Sequence, residues 1–201
     1  MSELSVDERK KQLRIAVICS SNMNRSMEAH RLLEKKGYNI SSYGTGTRVK
    51  LPGTSHDNPN VYAFSTPYNE IYEDLYRKDR NVYRQNGMLN MLDRNRKIKN
   101  HPEKFQLNND VFNVILSCEE RVYDQILDDF NKRKAKAFTQ CHVINLDIPD
   151  NHEDADIGAI VFSQLLDELI KDNDLDANID ELLQSFEEEK KRDLMHSVVF
   201  Y

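Results

Sequence analysis

The stretch VICSSNMNRSMEAH, residues 17–30, joins an apolar segment to a helical pattern. The apolar segment is typical of a buried parallel strand, and Cys19 stands where that strand ends. Arg25 follows six positions later, where the spacing of apolar residues predicts the start of a helix. This order of strand, short polar turn and helix predicts a loop that binds an anion, with a thiol at one end and an arginine at the other.

The chemistry of such a loop suits phosphate. The N–H groups at a helix start lack partners and the helix dipole is positive there, so the turn binds anions and stabilises a thiolate. Arg25 supplies a planar fork for two phosphate oxygens. Asn22 tolerates the left-handed backbone that a tight loop needs, and Ser26 is placed to donate a hydrogen bond to the thiolate. The residues predicted to bind phosphate beside Cys19 are Ser20, Ser21, Asn22, Met23, Asn24, Arg25 and Ser26.

Apolar runs near residues 13–18, 39–43, 111–117 and 142–147 alternate with helical patterns. This alternation predicts an α/β fold, a doubly wound, mainly parallel sheet with helices on both faces. The final HSVVFY can close the sheet as a strand or extend as a tail. Ligands of such sheets bind beyond the carboxyl ends of the strands. Cys19 follows the first strand, and Asp147 and Asp150 follow the fourth, so we expect these three residues to share one rim.

A thiolate can attack phosphorus and form a covalent phosphocysteine. The leaving alkoxide of a serine must be protonated, and an aspartic acid on the same rim can protonate it. General acid–base catalysis of this kind accelerates a reaction roughly 10²–10⁴-fold. This chemistry requires no metal and no other cofactor. Asp147 and Asp150 are both candidates for the acid, although either can instead be interpreted as a cap of the following helix.

Composition and length set the class of protein. A chain of 201 residues predicts one domain over residues 1–201, with a flexible segment over about residues 1–12. No apolar run approaches the roughly 18 residues that span a bilayer, and the start lacks the apolar middle of a signal peptide. We therefore expect a soluble intracellular protein. The odd number of cysteines and the lack of a CxxC motif favour reduced thiols over a disulfide framework or a zinc site.

The net charge of −6 is unevenly distributed. Residues 77–104 hold nine Lys and Arg against three Asp and Glu, whereas residues 147–190 hold fifteen Asp and Glu against two Lys. Two interpretations stay open: solvated helix faces, or a basic stretch that attracts a polyanionic substrate. The acidic balance argues against a dedicated nucleic-acid binder.

The motif C-x(5)-R-S after a strand, with an aspartate late in the chain, resembles the low-molecular-weight tyrosine phosphatases. A longer resemblance, from about Arg14 to Tyr201, is to the family of RNA polymerase II C-terminal domain phosphatases. It is carried, in order along the chain, by CSSNMNRSMEAH, SYGTGT, VKLPG, MLDRN, CEERVYDQ and HVINLDIPDNHE. The resemblance implies a low-molecular-weight tyrosine phosphatase-like fold with family-specific insertions.

The same resemblance implies a protein phosphatase of the nucleus. Its substrate would be phosphoserine in the heptad repeat of the polymerase tail, at the fifth position and also the seventh, with the phosphoserine–proline bond in cis. It would act in transcription and in mRNA 3′-end cleavage and polyadenylation, docked on a symplekin-type scaffold. From the acidic charge balance and the lack of a membrane-spanning run, we expect no direct contact with nucleic acid and none with a membrane.

The resemblance also assigns roles to residues of this chain. The nucleophile maps to Cys19, the phosphate-binding arginine to Arg25 and the general acid to Asp150, with Asp147 as the nearby second carboxylate. Asn24 stands where many low-molecular-weight enzymes have a second loop cysteine, and the sequence DIPD leaves the choice between the two aspartates open. The residues that match the substrate groove are Lys50, Pro52 and Met91.

Two other functions are compatible with parts of the pattern. An arsenate-reductase-like redox enzyme would use the same loop but would need Cys118 and Cys141 as a resolving pair. A non-catalytic adaptor would bind phosphorylated tails or a processing scaffold, and the acidic helices after residue 147 could serve its partner.

Overall fold

The computed structural model describes residues 5–55, 57–133 and 138–201. Its α-helices are α1 (Val6–Gln12), α2 (Arg25–Lys35), α3 (Tyr68–Gln85), α4 (Met88–Ile98), α5 (Glu120–Lys132), α6 (His152–Leu169) and α7 (Leu175–Lys190). Its strands are β1 (Arg14–Cys19), β2 (Asn39–Gly44), β3 (Val49–Leu51), β4 (Asn60–Tyr62), β5 (Val114–Ser117), β6 (Gln140–Asn145) and β7 (Met195–Phe200).

Five strands form one sheet in the order β2-β1-β5-β6-β7. The first four are parallel to their neighbours, and β7 pairs antiparallel with β6. Strand β1 is buried from Ile15 to Cys19 because other elements cover both of its faces. The predicted doubly wound, mainly parallel sheet is confirmed, and the HSVVFY segment closes it as a strand.

Helices cover the two faces of the sheet with separate apolar cores. Helices α2, α6 and α7 pack on one face, where Leu33, Phe162 and Leu183 belong to one buried cluster with Val17. Helix α5 packs on the other face, where its apolar side chains form a second buried cluster with Ile18. Residues that alternate along β1 therefore point into different cores, as the pleat of a strand requires.

A third apolar cluster lies beside the sheet rather than on it. Helices α3 and α4 and the antiparallel hairpin β3–β4 pack against the start of α2. Met27 of α2 contributes to this cluster together with Leu51, Ile71 and Leu92. The elements of this cluster form an insertion next to the loop that follows β1, where the cysteine motif lies.

The flexible segment expected over about residues 1–12 stays a prediction; residues 1–4 lie outside the described residues, and α1 occupies Val6–Gln12. Ser5 and Glu8 form a capping box at the start of α1. Arg9 donates from its guanidinium to the carbonyls of Ile170, at 3.3 Å, and Asp172, at 3.2 Å. These bonds attach α1 to the turn between α6 and α7.

Part of the positive charge over residues 77–104 is paired locally. Lys78 lies 2.7 Å from Asp74 on α3, and Arg96 lies 2.6 Å from Asp93 on α4. Such pairs, one helical turn apart, are typical of solvated helix faces. Within the described ranges, no helix combines the length and the apolar character needed to cross a bilayer.

Candidate active site

The loop between β1 and α2 places a thiol next to the helix start. Asn22 has a φ of 52°, so the chain turns there through the left-handed region. Its side chain donates to the hydroxyl of Ser26 at 3.0 Å and accepts from the N–H of Glu103 at 3.0 Å. The Ser26 hydroxyl lies 3.1 Å from the sulfur of Cys19. Asn22 therefore orients Ser26 towards the thiol.

The carbonyls at the start of the loop accept hydrogen bonds from residues outside the loop. The N–H of Thr45 donates to the carbonyl of Cys19 at 3.1 Å, and the N–H of Gly46 donates to that of Ser20 at 2.9 Å. In a trans peptide the carbonyl of one residue points opposite to the N–H of the next. The N–H groups of Ser20 and Ser21 therefore point to the concave side of the loop.

The second half of the loop is bound by the insertion. The hydroxyl of Tyr68 donates to the carbonyl of Asn22 at 2.6 Å. Met23 accepts at its carbonyl from Arg94, at 2.9 Å, and from the amide of Asn95, at 2.7 Å. By the same peptide geometry, the N–H groups that follow these carbonyls also face the concave side. A loop lined with inward N–H groups binds an anion.

Two glycines of the GTG sequence allow this close packing. A Cβ atom at Gly44 would lie 2.7 Å from the carbonyl oxygen of Ser20 and 2.9 Å from the N of Asn22. A Cβ atom at Gly46 would lie 2.9 Å from the same oxygen of Ser20. Both positions therefore need glycine so that the end of β2 can approach the loop.

Arg25 begins α2 and is almost fully buried. One terminal nitrogen, Nη1, donates to the carbonyls of Ile148, at 2.9 Å, and Cys118, at 3.3 Å, and to the carboxylate of Glu119, at 2.9 Å. Its Nε makes no hydrogen bond within the described residues and lies 3.5 Å from the carboxylate of Asp150. Nη1 therefore anchors the guanidinium, and the Nε edge is available to an anion.

The two candidate acids occupy different places. Asp150 accepts a hydrogen bond from the side chain of Asn24 at 3.1 Å, so its carboxylate lies at the loop. Asp147 instead accepts from the N–H of Glu120, at 2.9 Å, and from the side chain of Asn145, at 3.0 Å. The structure therefore brings Asp150 to the loop and leaves Asp147 at the N-terminus of α5.

The charges around Arg25 favour its cationic form. Burial works against the charge, but negative charge on Cys19 and Asp150 raises the pKa of Arg25 above its ordinary value. Cys118 is enclosed beside them, and burial together with the charge of Cys19 raises the pKa of Cys118 well above that of a free thiol. Cys118 is therefore a neutral thiol.

The redox alternative needs a disulfide between Cys118 and Cys141, and all three cysteines are free thiols in the structure. Cys118 packs into the core beneath α2, α6 and α7, whereas Cys141 packs into the core beneath α5. These cores lie on opposite faces of the sheet, so a bond between the two sulfurs would have to cross it. The structure does not provide this pair.

A cavity of about 290 Å³ opens on the thiol of Cys19. His152 closes one wall, because its Nε2 lies 3.1 Å from the carbonyl of Asn86 in the turn between α3 and α4. The cavity includes eight of the residues predicted from sequence, and Asp147 is not among them. Its lining consists of Cys19, Ser21, Met23, Asn24, Lys50, Leu51, Pro52, Asn86, Met88, Met91, Asp150, Asn151 and His152. In the described part of the chain, no group of His, Cys, Asp and Glu side chains is arranged to hold a metal ion.

The sequence pattern did not point to four residues that hold the site together: Tyr68, Arg94, Asn95 and Glu119. Asn95 is fully buried although it lies on a helix, and buried polar side chains are normally hydrogen-bonded. Three of the four fall within or beside the motifs MLDRN and CEERVYDQ. Those motifs were the available signal, but neither indicates a contact with a loop some 70 to 100 positions earlier.

Comparisons with known proteins agree with this geometry. A family model described as "Ssu72-like protein" matches residues 13–201. The RNA polymerase II C-terminal domain phosphatase SSU72 of Danio rerio is 53% identical over 189 residues, which cover 94% of this chain and 97% of that protein. The Homo sapiens protein of the same name is also 53% identical over 189 residues, with the same shares covered.

Solved structures give the same result for the fold. A crystal structure of D. melanogaster Ssu72 with Symplekin, bound to a cis peptidomimetic CTD phospho-Ser5 peptide, matches with a TM-score of 0.93 at 51% identity. The match covers 95% of this chain and 100% of that chain. A second crystal structure, of the D. melanogaster serine phosphatase of the RNA polymerase II CTD, has a TM-score of 0.92 at 53% identity, covering 94% of this chain and 100% of that chain. The chain therefore belongs to the Ssu72-like protein family.

Proposed function

We propose that this protein is a cysteine-dependent phosphatase that removes phosphate from phosphoserine in the C-terminal heptad repeat of RNA polymerase II. The fifth position of the repeat is the main target and the seventh a second one. Support comes from relatives named as phosphatases of this domain and from a similar structure bound to a cis phospho-Ser5 peptide. The observation that carries the proposal is the thiol of Cys19 below a concave set of N–H groups, with the carboxylate of Asp150 at the same loop.

In the first step the thiolate of Cys19 attacks phosphorus. The S–P bond forms while the bond between phosphorus and the serine oxygen breaks, and Asp150, as the acid, gives its proton to that oxygen. The loop N–H groups and the Nε edge of Arg25 bind the remaining phosphate oxygens. These donors are already in place before the charge on the oxygens grows, which is the arrangement that stabilises a transition state most effectively.

In the second step water releases the phosphate. The carboxylate of Asp150 now takes a proton from the attacking water, the new P–O bond forms and the S–P bond breaks. The sulfur leaves as a thiolate, which the hydroxyl of Ser26 at 3.1 Å stabilises. One carboxylate therefore serves both half-reactions, first as acid and then as base.

The cavity beside the loop suits a peptide that turns back on itself. Pro52 and Met91 provide apolar walls, and Lys50 adds a cation at the rim. A phosphoserine–proline bond in cis forms such a tight turn, and roughly 10–30% of these bonds are cis in an unfolded peptide. We infer that the cis form is the one that enters the cavity, with the proline against Pro52 and Met91.

The setting follows from the substrate. Because RNA polymerase II works in the nucleus, we infer that the protein is nuclear and acts in transcription and mRNA 3′-end processing. A similar structure contains Symplekin, and we propose a symplekin-type scaffold as a partner. The proposal needs no direct contact with nucleic acid or with a membrane.

The test is hydrolysis of a phosphoserine heptad peptide by the wild-type protein and by Cys19→Ser. We expect the variant to lose turnover and to bind the peptide with affinity close to that of the wild type. Cys118→Ser is the matched control, because Cys118 is buried next to the site but lacks access to the cavity. Unchanged turnover in Cys19→Ser would remove this thiol from the mechanism and exclude the phosphocysteine route.

A further inference from the structure

Arg94, on α4, uses all of its donor nitrogens around the phosphate-binding loop. Its Nη2 donates to two consecutive loop carbonyls, that of Met23 at 2.9 Å and that of Asn24 at 3.3 Å. Its Nε donates to the side-chain oxygen of Asn95 at 3.0 Å. The amide of Asn95 in turn donates to the carbonyl of Met23 at 2.7 Å. Arg94 therefore binds the loop directly and also orients a second donor to it.

The third nitrogen of Arg94 binds the first turn of α2. Its Nη1 lies 2.7 Å from the carboxylate of Glu28, which is also paired with Arg31. Burial favours the neutral acid, but the contacts with Arg31 and Arg94 lower the pKa of Glu28 below its ordinary value. The guanidinium is thus held between a fixed carboxylate and the two carbonyls, and its side chain is only 16% exposed.

We propose that Arg94 is a positioning residue that keeps the second half of the loop in its anion-binding conformation, an inference that rests on the phosphatase function proposed above. Arg94 and Asn95 hold the carbonyl of Met23, and Arg94 also donates to the carbonyl of Asn24, which accepts from the N–H of Glu28 at 2.9 Å. In trans peptides the N–H groups that follow, those of Asn24 and Arg25, must then point the opposite way. This is the concave side, where the phosphate oxygens bind.

The side chain that performs this task has to be arginine. A guanidinium is planar and presents its donors in a fixed fork, whereas the ammonium of lysine is a single point on a flexible stem. A lysine at position 94 could reach Glu28 or one carbonyl, but it could not also orient Asn95. We therefore expect Arg94→Lys to keep part of the packing and charge but to lose the defined direction of the loop N–H groups.

A purely structural role is the competing interpretation. Arg94 joins α4 to α2, so its removal would cost stability even if the loop stayed in place, and it would leave the buried Glu28 with one partner fewer. The two roles separate if stability and anion affinity are measured on the same variants. Inorganic tungstate, a tetrahedral oxyanion that the enzyme cannot turn over, is a suitable probe of the loop.

The experiment compares Arg94→Met and Arg94→Lys with the wild type and with Arg96→Met. Arg96 lies on the same helix but pairs with Asp93 at 2.6 Å and with Asn69 at 2.7 Å, away from the loop. Because hydrogen bonds to a charged ligand are lost, we expect Arg94→Met to weaken tungstate binding roughly 10- to 100-fold and to lower kcat on the phosphopeptide by a similar factor. Arg96→Met should change neither, and Arg94→Lys should resemble Arg94→Met.

The double variant Glu28→Gln with Arg94→Met decides between the two roles. Glu28→Gln removes the carboxylate that loses its partner in Arg94→Met. It should therefore restore much of the lost melting temperature, but not the tungstate affinity. Recovery of both the melting temperature and the tungstate affinity in the double variant would overturn the proposal. Tungstate binding by Arg94→Met within threefold of the wild type would also overturn it. Failure of the wild type to hydrolyse the phosphopeptide would instead count against the proposed function, since tungstate affinity does not depend on turnover.

Discussion

The carboxylate of Asp150 lies 3.5 Å from Nε of Arg25, the guanidinium edge that makes no hydrogen bond within the described residues. The proposed acid is thus held at the place where a phosphate oxygen would bind. A bound phosphate would take over the Nε edge, and the carboxylate would then lie next to the leaving oxygen. This relationship separates Asp150 from Asp147, which two hydrogen bonds hold at the start of α5.

The first prediction concerns Asp150→Asn. An amide cannot give a proton to the serine oxygen, so kcat on a phosphoserine peptide should fall by about 10²- to 10⁴-fold. Peptide binding, measured by fluorescence anisotropy, should change little. With p-nitrophenyl phosphate, whose leaving group needs little protonation, the loss in the first half-reaction should be much smaller.

The control for that prediction is Asp147→Asn. Asn145 and the N–H of Glu120 would still find an oxygen at position 147, so we expect kcat to stay within a few-fold of the wild type. If Asp147→Asn lowered kcat more than Asp150→Asn, the assignment of the acid would have to be reversed.

The second prediction concerns the hydroxyl of Ser26, 3.1 Å from the sulfur of Cys19. A hydrogen bond to a charged group contributes about 1.5–3 kcal/mol. Ser26→Ala should therefore slow turnover roughly 10- to 100-fold and slow the alkylation of Cys19 by iodoacetamide at a fixed pH. Ser163, buried in α6, has no hydrogen-bond partner for its hydroxyl within the described residues, and Ser163→Ala should leave both measurements unchanged. Equal effects of the two substitutions would mean that Ser26 acts only through packing.

The third prediction compares two reasons for glycine: the lack of space for a Cβ atom at Gly44 and the positive φ at Gly37. A Cβ atom at Gly44 would meet backbone atoms of Ser20 and Asn22 within 3 Å, whereas at Gly37 nothing lies within 4 Å but φ is +85°. Gly37→Ala should cost about 1–2 kcal/mol of unfolding free energy and leave kcat unchanged. Gly44→Ala should displace the loop and lower kcat even at temperatures where the variant is folded. Normal kcat in folded Gly44→Ala would show that the loop tolerates the displacement.

The fourth prediction is a dependence of stability on pH. Burial, assisted by the positive charge of Lys99, lowers the pKa of His30 to about 4 from an ordinary value of 6.5. The unfolded chain then binds this proton at a higher pH than the folded one. His30 therefore adds nothing to the pH dependence of stability above pH 6.5, and it lowers the free energy of unfolding as the pH falls towards 4. The slope is about 1.4 kcal/mol per pH unit at most.

His30→Asn removes this titration and can keep a hydrogen bond to Ser42, which lies 2.9 Å from Nδ1 of His30. Urea unfolding of both proteins between pH 4.5 and 7.5 should show a smaller loss of stability for the variant on the acid side. Parallel curves for the two proteins would show that His30 is protonated equally in the folded and unfolded states.

The sheet and the order of its elements could be predicted from sequence because they depend on local patterns. The run before Cys19 is apolar and Arg25 opens an amphipathic segment, so β1 and α2 follow from periodicity alone. The HSVVFY segment was ambiguous because only its pairing with β6 makes it a strand. The hairpin β3–β4 was missed for a similar reason: each of its strands has three residues, too short for a periodic signal.

The position of the candidate site could be predicted from the sequence, but the residues that hold its loop in place could not. The thiol, Arg25 and the loop are contiguous, so their proximity follows from the chain itself. Tyr68 and Asn95 reach the loop from the insertion, 46 and 72 positions away from the carbonyls they bind. Hydrogen bonds of this kind depend on how α3 and α4 pack, and no pattern in a single sequence specifies that packing.

The loop carbonyls accept hydrogen bonds from residues outside the loop, and this has a consequence for the release of phosphate. Thr45, Gly46 and Tyr68 hold the loop by contacts that do not involve the anion. An oxyanion receptor assembled in advance cannot distinguish the phosphate of a substrate from free orthophosphate, since both present the same tetrahedral oxygens. Orthophosphate should therefore compete with the peptide, and its departure from the loop is a candidate for the slowest step of turnover.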